Sequence, residues 1–308
     1  MSELSANHPD VLTADMRKVY EEEEVLPKPD FLRTKLFEEG DNGPRGDQVQ
    51  DSTESGFGDL QTFTGNVSYG SRYQGYDVTA VHVEKTLGFE IQRRLMDDDR
   101  QDIFKRNPRG LAQASARTKD KDAARLFGNG DSVDSTFFTH TEGVALFSNS
   151  HTTTTGTSTA VGFDNYVTTP LSAAAVAAAR IQMAKFRDLQ SNLIGAEPDE
   201  LWIPPDLYET AFEIVSSMGK VDSDQNNKNV HYGRYNIYEW KHLIDWSTQN
   251  WVMCDSRLRR DNFSWHQRTA DEFAFVEDFE TITGKWRLYT RYSYKYRFWQ
   301  VGLGGFVD

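Results

Sequence analysis

Three consecutive apolar residues, Leu201-Trp202-Ile203, run straight into Pro204-Pro205. Proline donates no backbone hydrogen bond and fixes φ, so a central strand cannot continue through the pair. An apolar run without alternation suits a strand covered on both faces. Cover is encoded on either side. Ahead of it, Ser172 is a good N-cap, because its hydroxyl can accept from a free amide of a first turn. Leu171 and Val176 have the spacing of a hydrophobic staple around that cap. Val176, Ala179, Met183 and Phe186 recur at spacings of three and four, one face of a helix. A loop over 191–199, with Gly195 and Pro198, leads into the strand. Beyond the prolines, Asp206 is placed to cap a second helix, with Tyr208, Ala211, Phe212 and Val215 on its inner side. Residues 168–218 therefore read as helix, loop, buried strand, helix.

The rest of the chain surrounds that layer. Residues 1–55 hold fourteen acidic and six basic side chains, a net −8 of the chain's −13. Such composition is that of an acidic tail, or of an extended arm that orders only on a neighbour, with Val25-Leu26 and Phe31-Leu32 as anchors. From 52 to 89 the composition shifts to Gly, Tyr, Ser, Thr and Val. "QTFTGNVSYG" and "RYQGYDVTAVHVEK" read as two strands of a hairpin with a glycine-rich tip. Tyr76, Val78, Ala80 and His82 alternate with Asp77, Thr79, Val81 and Val83. A lone hairpin is marginal in water and must pack on something.

Residues 90–128 have a helical pattern with mixed charge. Asn107-Pro108 restarts or kinks the helix, and Gly128-Asn129-Gly130 stops it. Residues 129–167 are rich in turns and carry a Thr/Ser/Gly tract. Residues 219–232 are polar and read as a loop, whereas "YNIYEWKHLI" and "NWVMCDSRL" read as short strands. The clearest strand is "WRLYTRYSYKYRFW", residues 286–299. Trp286, Leu288, Tyr292, Tyr294, Tyr296 and Phe298 share one face, and Arg287, Arg291, Lys295 and Arg297 take the other.

Chemistry is hard to find in this pattern. The seven histidines include no H-E-x-x-H spacing, and no metal or cofactor is expected. His140 and His151 flank "GVALFSNS", which leaves a hydrolase site there as a minor reading. Asp97-Asp98-Asp99 reads as a solvated acidic face near a helix end. Cys254 is the only cysteine and sits in an apolar strand, so it reads as a small buried side chain. No glycine-rich loop links a strand to a helix in phosphate-cradling form. The acidity argues against a dedicated nucleic-acid binder, although the Arg/aromatic strand 286–299 keeps a DNA-binding reading open. The 13% aromatic share suggests broad interfaces. Residues 1–25 lack signal-peptide character, and no apolar run approaches the ~20 residues of a membrane span.

The string "LSAAAVAAARIQMAKFRDLQSNLIGAEPDELWIPPDLYETAFEI" resembles the major capsid proteins of tailed bacteriophages, which share the Hong Kong 97-like α+β fold. "DDDRQDIFKRNPRGLAQASARTKDKDAARLF" followed by "GVALFSNSH" resembles the head subunits of Mu-like phages. The resemblance implies an N-terminal arm over 1–51 and an extended β-hairpin loop over 52–88. It implies a peripheral domain with a long spine helix over 89–145, an axial α/β domain over 146–255, and a return to the peripheral domain over 256–308. It also implies a structural, non-catalytic subunit made in the bacterial host cytoplasm. Such a subunit would assemble with itself into hexamers and pentamers of an icosahedral head around double-stranded DNA. Expected partners are a separate scaffolding protein, a portal protein and a decoration protein, with non-specific proximity to the packaged DNA and no membrane. Some members cross-link through a lysine in the extended loop. Here residues 56–84 contain no lysine, Arg72 is the only cation among them, and Lys85 lies at the base.

Overall fold

The computed structural model describes residues 9–25, 31–40, 46–97, 106–153, 156–158, 162–219, 228–278 and 280–307. Helix α1 (Pro9–Val25) and the single turn α2 (Arg33–Leu36) precede the two-residue strand β1 (Glu38–Glu39). Strands β2 (Gln48–Glu54) and β3 (Gln74–Val81) pair antiparallel, and β3 passes through His82 into β4 (Val83–Gln92). The short α3 (Arg93–Asp97) and the 23-residue α4 (Arg106–Gly128) follow. Four short strands come next: β5 (Phe138–His140), β6 (His151–Thr153), β7 (Gly156–Ser158) and β8 (Tyr166–Val167). They lead to α5 (Ala173–Met183), β9 (Glu200–Ile203), α6 (Tyr208–Ser216), β10 (Asn236–Glu239) and β11 (Trp251–Cys254). The chain closes with α7 (Ser256–Asn262), the long β12 (Phe263–Asp278) and β13 (Thr283–Tyr296), and β14 (Gly302–Gly305).

The apolar strand is central, as its composition requires. β9 lies between β10 and β11 in a five-stranded sheet of order β10-β9-β11-β14-β8, and all four of its residues are buried. Ser172 caps α5 by accepting from the Ala175 N–H at 3.1 Å. Val176, Ala179, Met183 and Phe186 are all buried beneath it. Each large side chain so buried contributes about 1.5–3 kcal/mol. The second helix departs from expectation. Asp206 lies inside a 3-10 turn (Pro205–Leu207) and caps nothing; the N-cap position of α6 falls on Leu207, which makes no side-chain cap. That extra turn rotates the helix. Leu207, Ala211, Ile214 and Val215 face inward, while Tyr208 and Phe212 point to solvent.

β12 and β13 form the middle of a four-stranded sheet of order β1-β12-β13-β4, with register breaks at Gln267/Thr269 and Thr269/Glu272. β2, β3 and β5 make a three-stranded sheet, and β6 pairs with β7. The second hairpin strand lies where the sequence suggests, but the first lies earlier. That first strand is β2, and "QTFTGNVSYG" belongs to an exposed loop over 55–73. Val49, Asp51 and Thr53 alternate inward against β3, whereas 61–70 is exposed throughout. The spine helix likewise begins later, because residues 89–92 stay in β4 and pair with β13. Ile91 is buried there as a strand residue.

The arm is not a bare extension. Met16 and Tyr20, four residues apart on α1, are buried against Leu111, Ala112, Phe273 and Trp286. Tyr20 stacks on Phe273 at 5.1 Å, and its hydroxyl donates to Asp271. Leu36 and Phe37 enter the main core. Of the expected anchors, Leu26 lies outside the described residues, and Phe31 stands near the His242 ring at 6.5 Å.

The C-terminal segment also departs from expectation. Residues 256–308 do not all remain with the four-stranded sheet, because β14 inserts between β11 and β8. Its glycines make this possible. A Cβ on Gly302 would stand 2.6 Å from the Met253 carbonyl oxygen, and one on Gly305 would meet the Trp251 ring. One apolar cluster therefore runs unbroken from Leu201, Trp202 and Ile203 to Tyr292, Tyr294 and Tyr296. The aromatics largely fill this interior: Trp202, Trp240, Trp251, Trp265 and Trp299 are buried in it, and Trp286 is buried in the smaller cluster under α1.

Candidate assembly surface

Residues 55–73 form a loop with a tied neck and an open tip. Ser55 N–H donates to the Tyr73 carbonyl at 2.9 Å, and Tyr73 N–H returns a bond to Ser55 Oγ at 2.8 Å. Arg72 pairs with Glu54 at 2.5 Å and lies over the Phe57 ring. The root rests on the 188–192 turn, where Asn192 donates to the Phe57 carbonyl. Beyond this neck the loop holds Leu60 100%, Tyr69 94% and Phe63 71% exposed. Apolar side chains gathered on one projecting segment mark an interaction surface. A second exposed apolar set, missed by the sequence reading, lies on α6. Tyr208 and Phe212 hold their rings 6.1 Å apart in solvent, with Met218 nearby in sequence and also exposed. The i,i+4 spacing of the two aromatics was a signal, but it fits an inner face equally well.

The basic face of 286–299 is largely neutralised within the chain. Arg291 pairs with Asp47 at 2.6 Å and with Glu84 at 3.7 Å. Asp51 takes both Lys295, at 3.2 Å, and Arg297, at 2.6 Å. β2 lies across this face, and Lys295 is only 3% exposed. Burial pushes its ammonium below the usual lysine range, partly opposed by Asp51. A backbone of phosphates would have to displace these carboxylates before meeting the cations. On the opposite face, Trp286, Leu288, Tyr292, Tyr294 and Tyr296 are buried as the alternation predicts, and Phe298 is partly exposed.

His140 and His151 do come together, around Glu142, but as packing. His151 is fully buried and stacks on Trp299 with ring centroids 4.1 Å apart. Its Nδ1 lies 3.1 Å from Glu142 Oε1 and its Nε2 2.9 Å from Asn165 Oδ1. His140 Nε2 lies 3.1 Å from the Arg297 carbonyl oxygen, and its Nδ1 accepts from the Glu142 N–H at 3.2 Å. Both rings have both nitrogens engaged, which leaves neither free for a substrate. Burial raises the Glu142 carboxyl, but the His151 hydrogen bond and charge outweigh it and hold the group below the usual range. Asn165 completes the joint by donating to the carbonyls of Leu146, Trp299 and Gly302. Cys254 is wholly buried, and burial pushes its thiol well up, away from a reactive thiolate. Among the described residues no three His, Cys, Asp or Glu side chains stand together as a metal group.

Solved phage capsid subunits share this fold. The chain is similar to a subunit from the capsid of a native GTA particle, at 13% identity and a TM-score of 0.59 over 92% of each chain. It is similar to a chain from Microbacterium phage Oxtober96, at 11% identity and 0.56, covering 92% of this chain and 94% of that one. The capsid of Myoviridae phage XM1 gives 11% identity and 0.53, over 93% and 95%. No curated protein matches the sequence. The fold is thus that of a tailed-phage capsid subunit, α+β and Hong Kong 97-like. Residues 76–300 match the model of the phage capsid protein family, and the chain belongs to that family.

Proposed function

We propose that the protein is the major shell subunit of a tailed-phage head, non-catalytic, whose copies form hexamers and pentamers around double-stranded DNA. The observation that carries this reading is the 55–73 loop, which is tied at its neck and exposes large apolar side chains that no other described residue covers. Their burial on a neighbour would supply the driving force, and charge pairs would set register. In this reading the arm, expected over 1–51, ends before β2 at Gln48, and the hairpin with its loop is the extended element. The four-stranded sheet with α4 is the peripheral part, and the five-stranded sheet is the axial part. A separate scaffolding protein, a portal protein and a decoration protein are the expected partners, with the mature subunit in the virion after synthesis in the host cytoplasm. The DNA-binding alternative through 286–299 loses support from the carboxylates that already pair Arg291, Lys295 and Arg297.

Negative-stain electron microscopy of the expressed protein, with and without its scaffolding partner, tests the proposal. Closed shells or ring-shaped capsomers are expected. A chain that stays monomeric under both conditions and binds DNA with a steep salt dependence would overturn it.

A further inference from the structure

β3 and β4 are one extended run interrupted at a single residue, His82. The imidazole is 6% exposed and sits where the hairpin meets the four-stranded sheet. Its backbone N–H donates to the Asp47 carbonyl at 3.0 Å, and its Nδ1 lies 2.9 Å from Ser293 Oγ on β13. The other ring nitrogen, Nε2, is buried and has no hydrogen-bond partner. Charged groups act on it from three separate segments. β13 supplies Arg291, the bulged part of β12 supplies Arg268, and the segment before β2 supplies Asp47. Glu84 of β4 reaches the same Arg291. Two arginines thus face two carboxylates, and this balance holds without any charge on the imidazole.

We propose that His82 is a proton-sensitive joint: neutral, it lets the β2–β3 hairpin lie on the four-stranded sheet, and protonated, it loosens the hairpin while the sheet stays folded. A proton on the ring places a third cation beside Arg291 and Arg268 in a buried space. It also obliges both nitrogens to donate, and Nε2 has no acceptor. Burial first, then the two arginines, hold the ring below the ordinary histidine value, with Asp47 in partial opposition. The sign follows from linkage. An opened hairpin, with His82 solvated, titrates near the ordinary value of about 6.5. Just below that pH the open form binds more protons than the closed one. Closure is therefore fully favoured above about pH 6.5 and weakens as pH falls through the lower closed-state value. The consequence goes beyond shell formation and does not depend on it. It predicts that mild acid frees the root of the exposed loop before it disturbs the core.

Hydrogen exchange read by mass spectrometry on the unassembled full chain tests this, with rates corrected for intrinsic pH dependence. Between about pH 7.5 and about pH 5, amides of 74–81 should lose about fivefold more protection than those of 283–289 in β13. His82→Gln, which keeps a polar group for Ser293 but cannot titrate, should abolish that excess. Equal loss in both segments, or a His82→Gln protein that follows the wild type, overturns the proposal. Should that variant fail to fold, NMR titration of the wild-type His82 ring decides. A midpoint below the ordinary value, shared by hairpin amide shifts, supports the joint. A midpoint at or above that value, or hairpin amides that ignore the titration, overturns it.

Discussion

Arg259 spreads its guanidinium over three segments of the chain. Its Nε and one terminal nitrogen donate to the two Glu200 oxygens at 2.8 and 3.0 Å, and the other donates to the Leu36 carbonyl at 2.8 Å. Both partners of the pair are nearly fully buried. Glu200 also accepts from the Trp202 indole, so the carboxylate is fixed beneath the central strand. Arg259→Met would leave that carboxylate buried without a counter-charge, and it should destabilise the fold by about 3–5 kcal/mol. Denaturant unfolding against the wild type measures this, and a change within experimental scatter would show that the pair contributes little. A second residue-scale test lies under α5. Met183 is wholly buried, so Met183→Asp should cost several kcal/mol, roughly 3 or more, and abolish soluble folded protein. Normal expression with an unchanged melting temperature would refute the packing.

At the scale of elements, the arm helix and the loop make opposite predictions. α1 is held by Met16 and Tyr20 and by the Arg17 bond to the Phe273 carbonyl at 3.2 Å. Tyr20→Ala removes a stacked ring from that seam and should lower stability by about 3 kcal/mol. Removing residues 1–48 entirely would take Leu36 and Phe37 out of the core, so the truncated chain should not fold as a sound monomer. The loop behaves differently, since residues 57–71 contribute no buried apolar side chain of their own. Replacing them with a short glycine-rich link should leave the melting temperature nearly unchanged and prevent particle formation. Calorimetry and electron microscopy on the same preparation separate the two effects. Shells from the shortened chain would remove the loop from assembly.

For the whole molecule, the prediction is that association is non-covalent. Residues 56–84 hold no lysine, and a guanidinium is no amine nucleophile at neutral pH. Lys85 is held at the hairpin base by Asp122 at 3.0 Å and lies over the Phe137 ring. The single cysteine is buried. Mature particles boiled in detergent should release one band near 35.2 kDa. A ladder that survives detergent and reductant would disprove this.

The local physics of residues 168–205 was legible because it is short in range, whereas the cap and inner face of α6 were not. A capped, staple-flanked helix and an apolar run stopped by two prolines are decided within a few turns of chain. The period-two face of β13 was legible for the same reason: side-chain alternation follows from the pleat alone. What lay beyond reach depended on partners distant in sequence. Nothing in "QTFTGNVSYG" says that no strand lies beside it, while β2 finds β3 across twenty residues and becomes the true hairpin arm. The acidic stretch near the N-terminus concealed Met16 and Tyr20, whose burial needs Phe273 more than 250 residues away. The basic stripe of β13 looked open to solvent because its counter-ions, Asp47 and Asp51, stand over 240 residues earlier. His140 and His151 met only when the chain around Glu142 closed on Trp299. The sequence by itself determined the capped helix α5, the buried strand β9 and the two faces of β13, because backbone geometry and short-range sterics decide those. The tertiary structure alone decided which apolar faces find cover among the described residues and which, like the 55–73 loop, stay exposed, because burial and charge pairing depend on three-dimensional proximity.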